Sequence, residues 1–139
     1  MNGVIVVRSL LVADTALTAL VPKARIAAGT LPQGTVLPAI SLMSVSSVDR
    51  NIPAPGPKRR VTERVQITVL ARTYPETKGI LAAIRTAAAD KMPQIDGLTD
   101  VTVHTDSAGP DFLDEETGIH MQSQDFRVAF NEARLASPS

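Results

Sequence analysis

One stretch of the chain is compatible with only one regular structure. Between Val61 and Arg72, the apolar residues Val61, Val65, Ile67, Val69 and Ala71 take alternate positions. Arg60, Thr62, Arg64, Gln66, Thr68 and Arg72 take the positions between and beside them. A period of two is that of a β-strand, whose successive side chains point to opposite faces. A strand with one apolar side packs that side on a core and turns the other to water or to a partner. Glu63 is the one exception on the apolar side, and it lies toward the outer end. The chain must therefore build a sheet and supply something apolar to cover one face of it.

Two helical segments can provide that cover. Val4, Val7, Leu10 and Leu11 fall at helical spacing. Asp14 then has the character of an N-cap for a further short turn, with Leu17, Leu20 and Val21 as its apolar face, and Pro22 stops it. The pattern fits one bent helix or two abutting ones. Later, Thr73-Tyr74-Pro75-Glu76 reads as a capping box with proline preset in the first turn. It predicts a helix to about Ala89, with Ile80, Leu81, Ile84, Ala87 and Ala88 toward the core. Gly79 weakens this helix by about 1 kcal/mol relative to alanine, and close packing is the one reason the pattern offers for it.

The remaining strands are shorter signals. Arg25 to Ala28 can form a brief strand, and Leu31-Pro32-Gln33-Gly34 reads as a turn. Ala39 to Ser46 is rich in β-compatible residues and has no helix caps. Leu98 to Thr105 points Val101 and Val103 inward, and His120 to Phe130 places Phe126, Val128 and Phe130 on one face. The tail from Asn131 to Ser139 has no pattern strong enough to place and reads as frayed. The order of elements predicts an α+β fold: an antiparallel or mixed β-sheet of four to five strands, with two main helices packed on one face. With 139 residues and no cysteine, residues 1–139 read as a single domain that folds without disulfide or cysteine–zinc staples.

Charge is balanced overall and uneven locally. Lys plus Arg and Asp plus Glu both number 14, whereas a dedicated nucleic-acid binder carries a basic excess. Aromatic residues make up 3% of the chain, too few for a base-stacking platform. Yet Asp49 to Arg60 reads as a long, mobile, proline-rich basic loop, with Pro53, Pro55 and Pro57 excluding a central strand. Arg50, Lys58, Arg59 and Arg60, with Arg64 beyond, can be solvated, meet acidic groups of a neighbouring subunit, or meet phosphates. Ser107 to Gly118 reads as a second loop, an acidic one, holding Asp111, Asp114, Glu115 and Glu116, with Asp106 just before it.

Catalytic signals are weak. Gly29 to Gly34 has the outer spacing of a phosphate loop, but Thr35 stands where its lysine belongs and Pro32 removes an amide donor, so a tight turn is the plainer reading. His104 and Asp106 share one strand face, and with His120, Asp111 and Asp114 they could in principle hold a metal. Metal sites need fixed geometry, and a solvated strand end beside an acidic loop accounts for the same residues. We read the chain as having no catalytic site, no metal and no cofactor. There is no signal-peptide pattern at the N-terminus and no apolar run of membrane-spanning length, which reads as cytoplasmic with no membrane partner.

Four segments in order resemble a known family. They are Leu11 to Val21, in the pattern Leu-x-x-Asp-x-x-Leu-x-x-Leu-Val; Leu31-Pro32-Gln33-Gly34 with Leu37-Pro38-Ala39-Ile40; Arg64-Val65-Gln66-Ile67 running into Ala71-Arg72-Thr73-Tyr74; and Asp114-Glu115-Glu116-Thr117-Gly118 running into Gln124-Asp125-Phe126-Arg127-Val128. Together they resemble the tail completion, or tail terminator, proteins of long-tailed bacteriophages and related gene transfer particles. One departure is Thr15, where a proline is common. The resemblance implies a small α+β subunit of a homo-hexameric ring that caps the tail tube, ends its polymerisation and joins tail to head. Its implied partners are further copies, the tail tube protein and the head–tail connector or stopper protein. Double-stranded DNA would pass through the lumen without specific binding. The implied location is the tail or neck of the virion, and the host cytoplasm during assembly. Two alternatives stand beside it: a head-proximal neck or stopper protein, and a small metal-dependent enzyme built on His104, Asp106 and His120. Within the ring reading, the charge split predicts that Arg59 and Arg60 of one subunit approach Asp114 and Glu115 of the next.

Overall fold

The computed structural model describes residues 2–32, 34–50 and 56–133. In chain order it holds α1 (Asn2–Ala13), α2 (Thr15–Leu20), one 3₁₀ turn (Lys23–Arg25), β1 (Ile26–Ala28), β2 (Ala39–Asp49), β3 (Lys58–Ala71), α3 (Tyr74–Ala88), β4 (Leu98–Ala108), β5 (Phe112–Asp114) and β6 (Ile119–Ala133). The strands form one mixed sheet in the order β1-β2-β3-β6-β4, with β5 also paired to β6. Met121 of β6 faces Leu70 of β3 on one side and Phe112 of β5 on the other, so β4 and β5 follow one another along the same flank of β6. Among the described residues only β1 and β2 run parallel; the other strand pairs are antiparallel. This is the α+β fold with helices over one face, and the sheet has six strands where the sequence suggests four to five.

The alternation of β3 organises the core. Val61, Val65, Ile67, Val69 and Ala71 are buried and pack with Val4, Val7 and Leu11 of α1 and Ile80 and Ile84 of α3. Glu63 departs from its expected outer position: it is only 1% exposed. Its Oε1 accepts the Gly3 N–H at 3.2 Å. The first turn of a helix carries amides without intrahelical partners and a partial positive charge, so α1 offers a carboxylate a suitable burial site.

Asp14 resolves the N-terminal ambiguity in favour of two helices. Its Oδ1 accepts the Leu17 N–H at 2.8 Å, starting α2 afresh. Leu17 and Val21 are buried, but Leu20 is left half-exposed at the end of a helix six residues long. The capping box opens α3: Thr73 Oγ1 accepts the Glu76 N–H at 3.3 Å, and Glu76 Oε1 reaches back to the Arg72 N–H at 3.3 Å. Close packing does not explain Gly79, since a Cβ there would meet nothing within 4 Å.

Both charged loops are shorter than the sequence suggests. Asp49 ends β2, and Lys58, Arg59 and Arg60 open β3, where they pair with Ala133, Glu132 and Asn131. The Arg50 N–H extends the β2–β3 ladder by donating to the Arg60 carbonyl at 2.9 Å. Residues 51–55 of the expected loop lie outside the described residues. The same pairing carries β6 to Ala133, so Asn131 to Ala133 are strand rather than frayed tail; residues 134–139 lie outside the described residues. In the acidic segment, Ser107 and Ala108 belong to β4, and Phe112 to Asp114 form β5. The remaining turn closes with the Gly118 N–H on the Asp114 carbonyl at 2.7 Å, and Gly118 takes a φ of 72°, which glycine tolerates best.

Candidate functional site

The sheet has a basic end and an acidic end. Lys58 of β3 sits level with Ala133, and Ala71 at the other end sits level with His120. Thirteen steps at the rise of an extended strand put the two ends roughly 40 Å apart. Lys58, Arg59 and Arg60 therefore cannot meet Asp114, Glu115 or Glu116 of the same subunit.

At the basic end most cations are already engaged within the chain. Arg59 lies 3.7 Å from Asp49 and 3.8 Å from Glu132. Arg60 donates to the Asp100 carbonyl at 2.7 Å and to Asn131 at 3.4 Å, and Lys58 reaches Thr99 at 3.3 Å. Arg50 is exposed. Arg64 does not join this group. It lies further along the helix-free face of the sheet, 2.7 Å from Asp125 and 3.4 Å from Asp106, and also donates to Ser107. Its cross-strand neighbour is Arg127, which lies 3.6 Å from Asp106. Two facing arginines are thus held by carboxylates set between them, which offsets the repulsion of like charges directly opposite.

At the acidic end, Asp111 accepts from Lys78 at 2.6 Å and from the Tyr74 hydroxyl at 3.0 Å. The hydrogen bond from Lys78 holds the Asp111 carboxyl below its usual range, and the same bond raises the Lys78 ammonium. Asp114 Oδ1 accepts the Glu116 N–H at 3.0 Å within the turn, while Glu115 and Glu116 are exposed. Beside these acids lies a shallow pocket of about 200 Å³, lined by Tyr74, Thr77, Asp111, Phe112, Leu113, His120 and Met121. The Tyr74 and His120 rings meet edge to face at 6.4 Å. Tyr74, Phe112 and Leu113 are 47%, 56% and 46% exposed, so half of the chain's four aromatic residues are at the surface here.

The residues considered for a metal do not converge. His104 faces Arg127 and His120 faces Ala71, seven positions apart on β6, or roughly 20 Å. His104 bonds Asp90 at 2.9 Å instead. Among the described residues there is no group of three or more side chains able to hold a metal. Gly29 and Gly34 take positive φ, as turn glycines do, and the Gly29 amide is engaged with the Leu42 carbonyl at 2.7 Å. Among the described residues, no helix is long and apolar enough to cross a membrane.

Comparison with known proteins supplies the family. The sequence profile of the tail completion protein gp17 family matches residues 6–131, from α1 to β6.

The chain belongs to the tail completion protein gp17 family.

It is thus a phage tail structural protein. Its fold recurs in a chain of the virion of a native gene transfer agent (GTA) particle, with a TM-score of 0.72 and 19% identity over 90% of this chain and 91% of that one. At that identity the likeness is one of fold. No curated protein matches by sequence. In this tail completion protein the sequence located the charged residues, but not the pocket of Tyr74, Phe112 and Leu113. The adjacent apolar pair Phe112-Leu113, set among acidic residues, was the available signal for it.

Proposed function

We propose that this tail completion protein is the subunit of a homo-hexameric ring that caps the tail tube, ends its polymerisation and joins tail to head. Its partners are further copies of itself, the tube protein and the head–tail connector, and double-stranded DNA passes its lumen without specific binding. It works without a catalytic site, metal or cofactor, in the tail or neck of the virion after assembly in the host cytoplasm. Family membership supports a tail role. The observation that carries the ring is the placement of opposite charges at the two ends of one sheet. A ring needs two different, complementary patches on each subunit, because head-to-tail contacts are heterologous. Arg59 and Arg60 of one subunit would approach Asp114 and Glu115 of the next. The ion pairs Arg59 makes in its own chain are long and partly exposed; such pairs are worth about 0–1 kcal/mol and exchange readily.

Charge reversal tests this directly. Arg59→Glu with Arg60→Glu weakens assembly, and adding Asp114→Lys with Glu115→Lys restores part of it, as read by native mass spectrometry at several salt concentrations. No gain from the compensating reversal, or an assembly indifferent to salt, would refute the pairing. Capture of purified tube and connector proteins on the immobilised chain separates a tube cap, which binds both, from a neck or stopper protein, which binds the connector alone.

A further inference from the structure

The two lateral edges of the sheet are treated differently. The β4 edge carries register shifts at Thr99/Thr102 and at Thr105/Ala108, and Val103 exchanges hydrogen bonds with Lys91. Bulges and a covering segment are how an edge is protected from pairing with other chains; β2 also has a register shift, at Ser44/Ser46, so what separates the two edges is the covering Lys91 segment. On the other side, β1 covers only Ile40 to Leu42 of β2. From Met43 to Asp49 every residue of β2 is exposed, and among the described residues no strand pairs its outer edge. This segment displays Met43, Val45 and Val48, which are 45%, 49% and 64% exposed, and carries no lysine or proline to deter contact. It ends at Asp49 and Arg50, beside Lys58, Arg59 and Arg60.

Toward the other end of the sheet lies the pocket of Tyr74, Phe112 and Leu113, with Asp111 in its lining and Asp114, Glu115 and Glu116 following Leu113 in the chain. One surface is an apolar strip with a basic border, and the other an apolar hollow with an acidic border. The strip runs level with Gln66 to Val61 of β3 and the pocket level with Leu70 and Ala71, which puts them roughly 15–30 Å apart along the sheet and on different strands, too far to satisfy each other within one chain. We infer that the exposed half of β2 from one copy seats against the Tyr74–Phe112–Leu113 pocket of the next, with the charged borders in register. This rests on the ring reading and deepens it. The charged border steers approach and fixes orientation, while aromatic residues in a desolvated pocket carry the affinity. The contact is heterologous, so repeating it propagates from copy to copy.

The absence of cysteine makes the test clean. Val48→Cys and Leu113→Cys are made as single variants and as a double variant, all at exposed positions. Under mild oxidation a mixture of the two singles gives 48–113 dimers, and the double variant gives a ladder of linked copies. Mixing that yields mainly 48–48 or 113–113 dimers overturns the inference, because it indicates a two-fold contact. Oligomers seen by native mass spectrometry without 48–113 links overturn this contact and leave the ring standing. A ladder that never closes at six supports the contact and removes the hexamer. A chain that neither associates nor cross-links at high concentration removes both. As a second measure, Phe112→Ser weakens self-association by about tenfold or more without altering the circular dichroism spectrum; unchanged association would argue against the pocket.

Discussion

Two glycines show how much a single hydrogen atom in place of a methyl group can matter, and with opposite signs. At Gly3 a Cβ would lie 2.6 Å from Glu63 Oε2 and 2.7 Å from its Cδ. Glu63 is buried and already accepts the Gly3 amide, so it has little room to withdraw. Gly3→Ala therefore destabilises the fold by about 1–3 kcal/mol. At Gly79 the added methyl meets nothing, and the residue lies within α3, where glycine costs conformational entropy. Gly79→Ala stabilises by about 0.5–1 kcal/mol. Urea unfolding of both variants checks the pair of signs. The Asp111–Lys78 contact gives a pH signature at the same scale. The Asp111 pKa is lowered in the fold, so its contribution is present above the ordinary carboxylate value of 3.8 and is lost as pH falls through the lower folded value. Lys78 is raised, so its contribution is present below 10.5 and is lost as pH rises through the higher folded value. Asp111→Asn should remove the acid-side dependence. A titration of that carboxyl by NMR that shows no downward displacement would contradict the geometry.

At the scale of elements, β3 is the one that the others require. Ile67→Asp places an unpaired charge at a fully buried position between α1 and α3 and should abolish cooperative unfolding of a native state. Thr73→Ala removes the cap of α3 and costs about 0.5–2 kcal/mol. These two elements were legible in the sequence because their signals are local: a strict alternation, and a threonine three residues before a glutamate. The misjudged parts depend on distant partners. Glu63 looked like an outer residue because the helix turn that receives it lies 60 positions earlier. Lys58 to Arg60 looked like loop because their strand character comes from the ladder with Asn131 to Ala133, whose own strand character comes from the same ladder. β5 is three residues long, too short for any period to register. The candidate site follows the same division. The charged residues could be picked out one by one, but their intrachain partners could not. The pocket joins Tyr74 at the start of α3 to Phe112 on β5, which only the tertiary fold brings together.

At the scale of the whole molecule, a neutral chain holds the cluster Arg50, Lys58, Arg59 and Arg60 at one end of its sheet and Asp111, Asp114, Glu115 and Glu116 at the other. Its apolar core lies under one face of the sheet, one lateral edge is covered by the bridge from Lys91, and among the described residues no strand pairs the other edge at its basic end. The chain also displays an apolar strip and an apolar hollow, and exposed patches of this kind mark interaction surfaces. Repeated head to tail, the same features generate a closed ring or an open filament according to the rotation at each contact. The measurement that bears most directly on this account is electron microscopy of the purified protein, alone and mixed with tail tubes, at low and high salt. The account predicts six-fold rings, free or seated on tube ends, that thin out as salt screens their charged borders. A chain that remains monomeric in every mixture, or that assembles with two-fold symmetry, would contradict it.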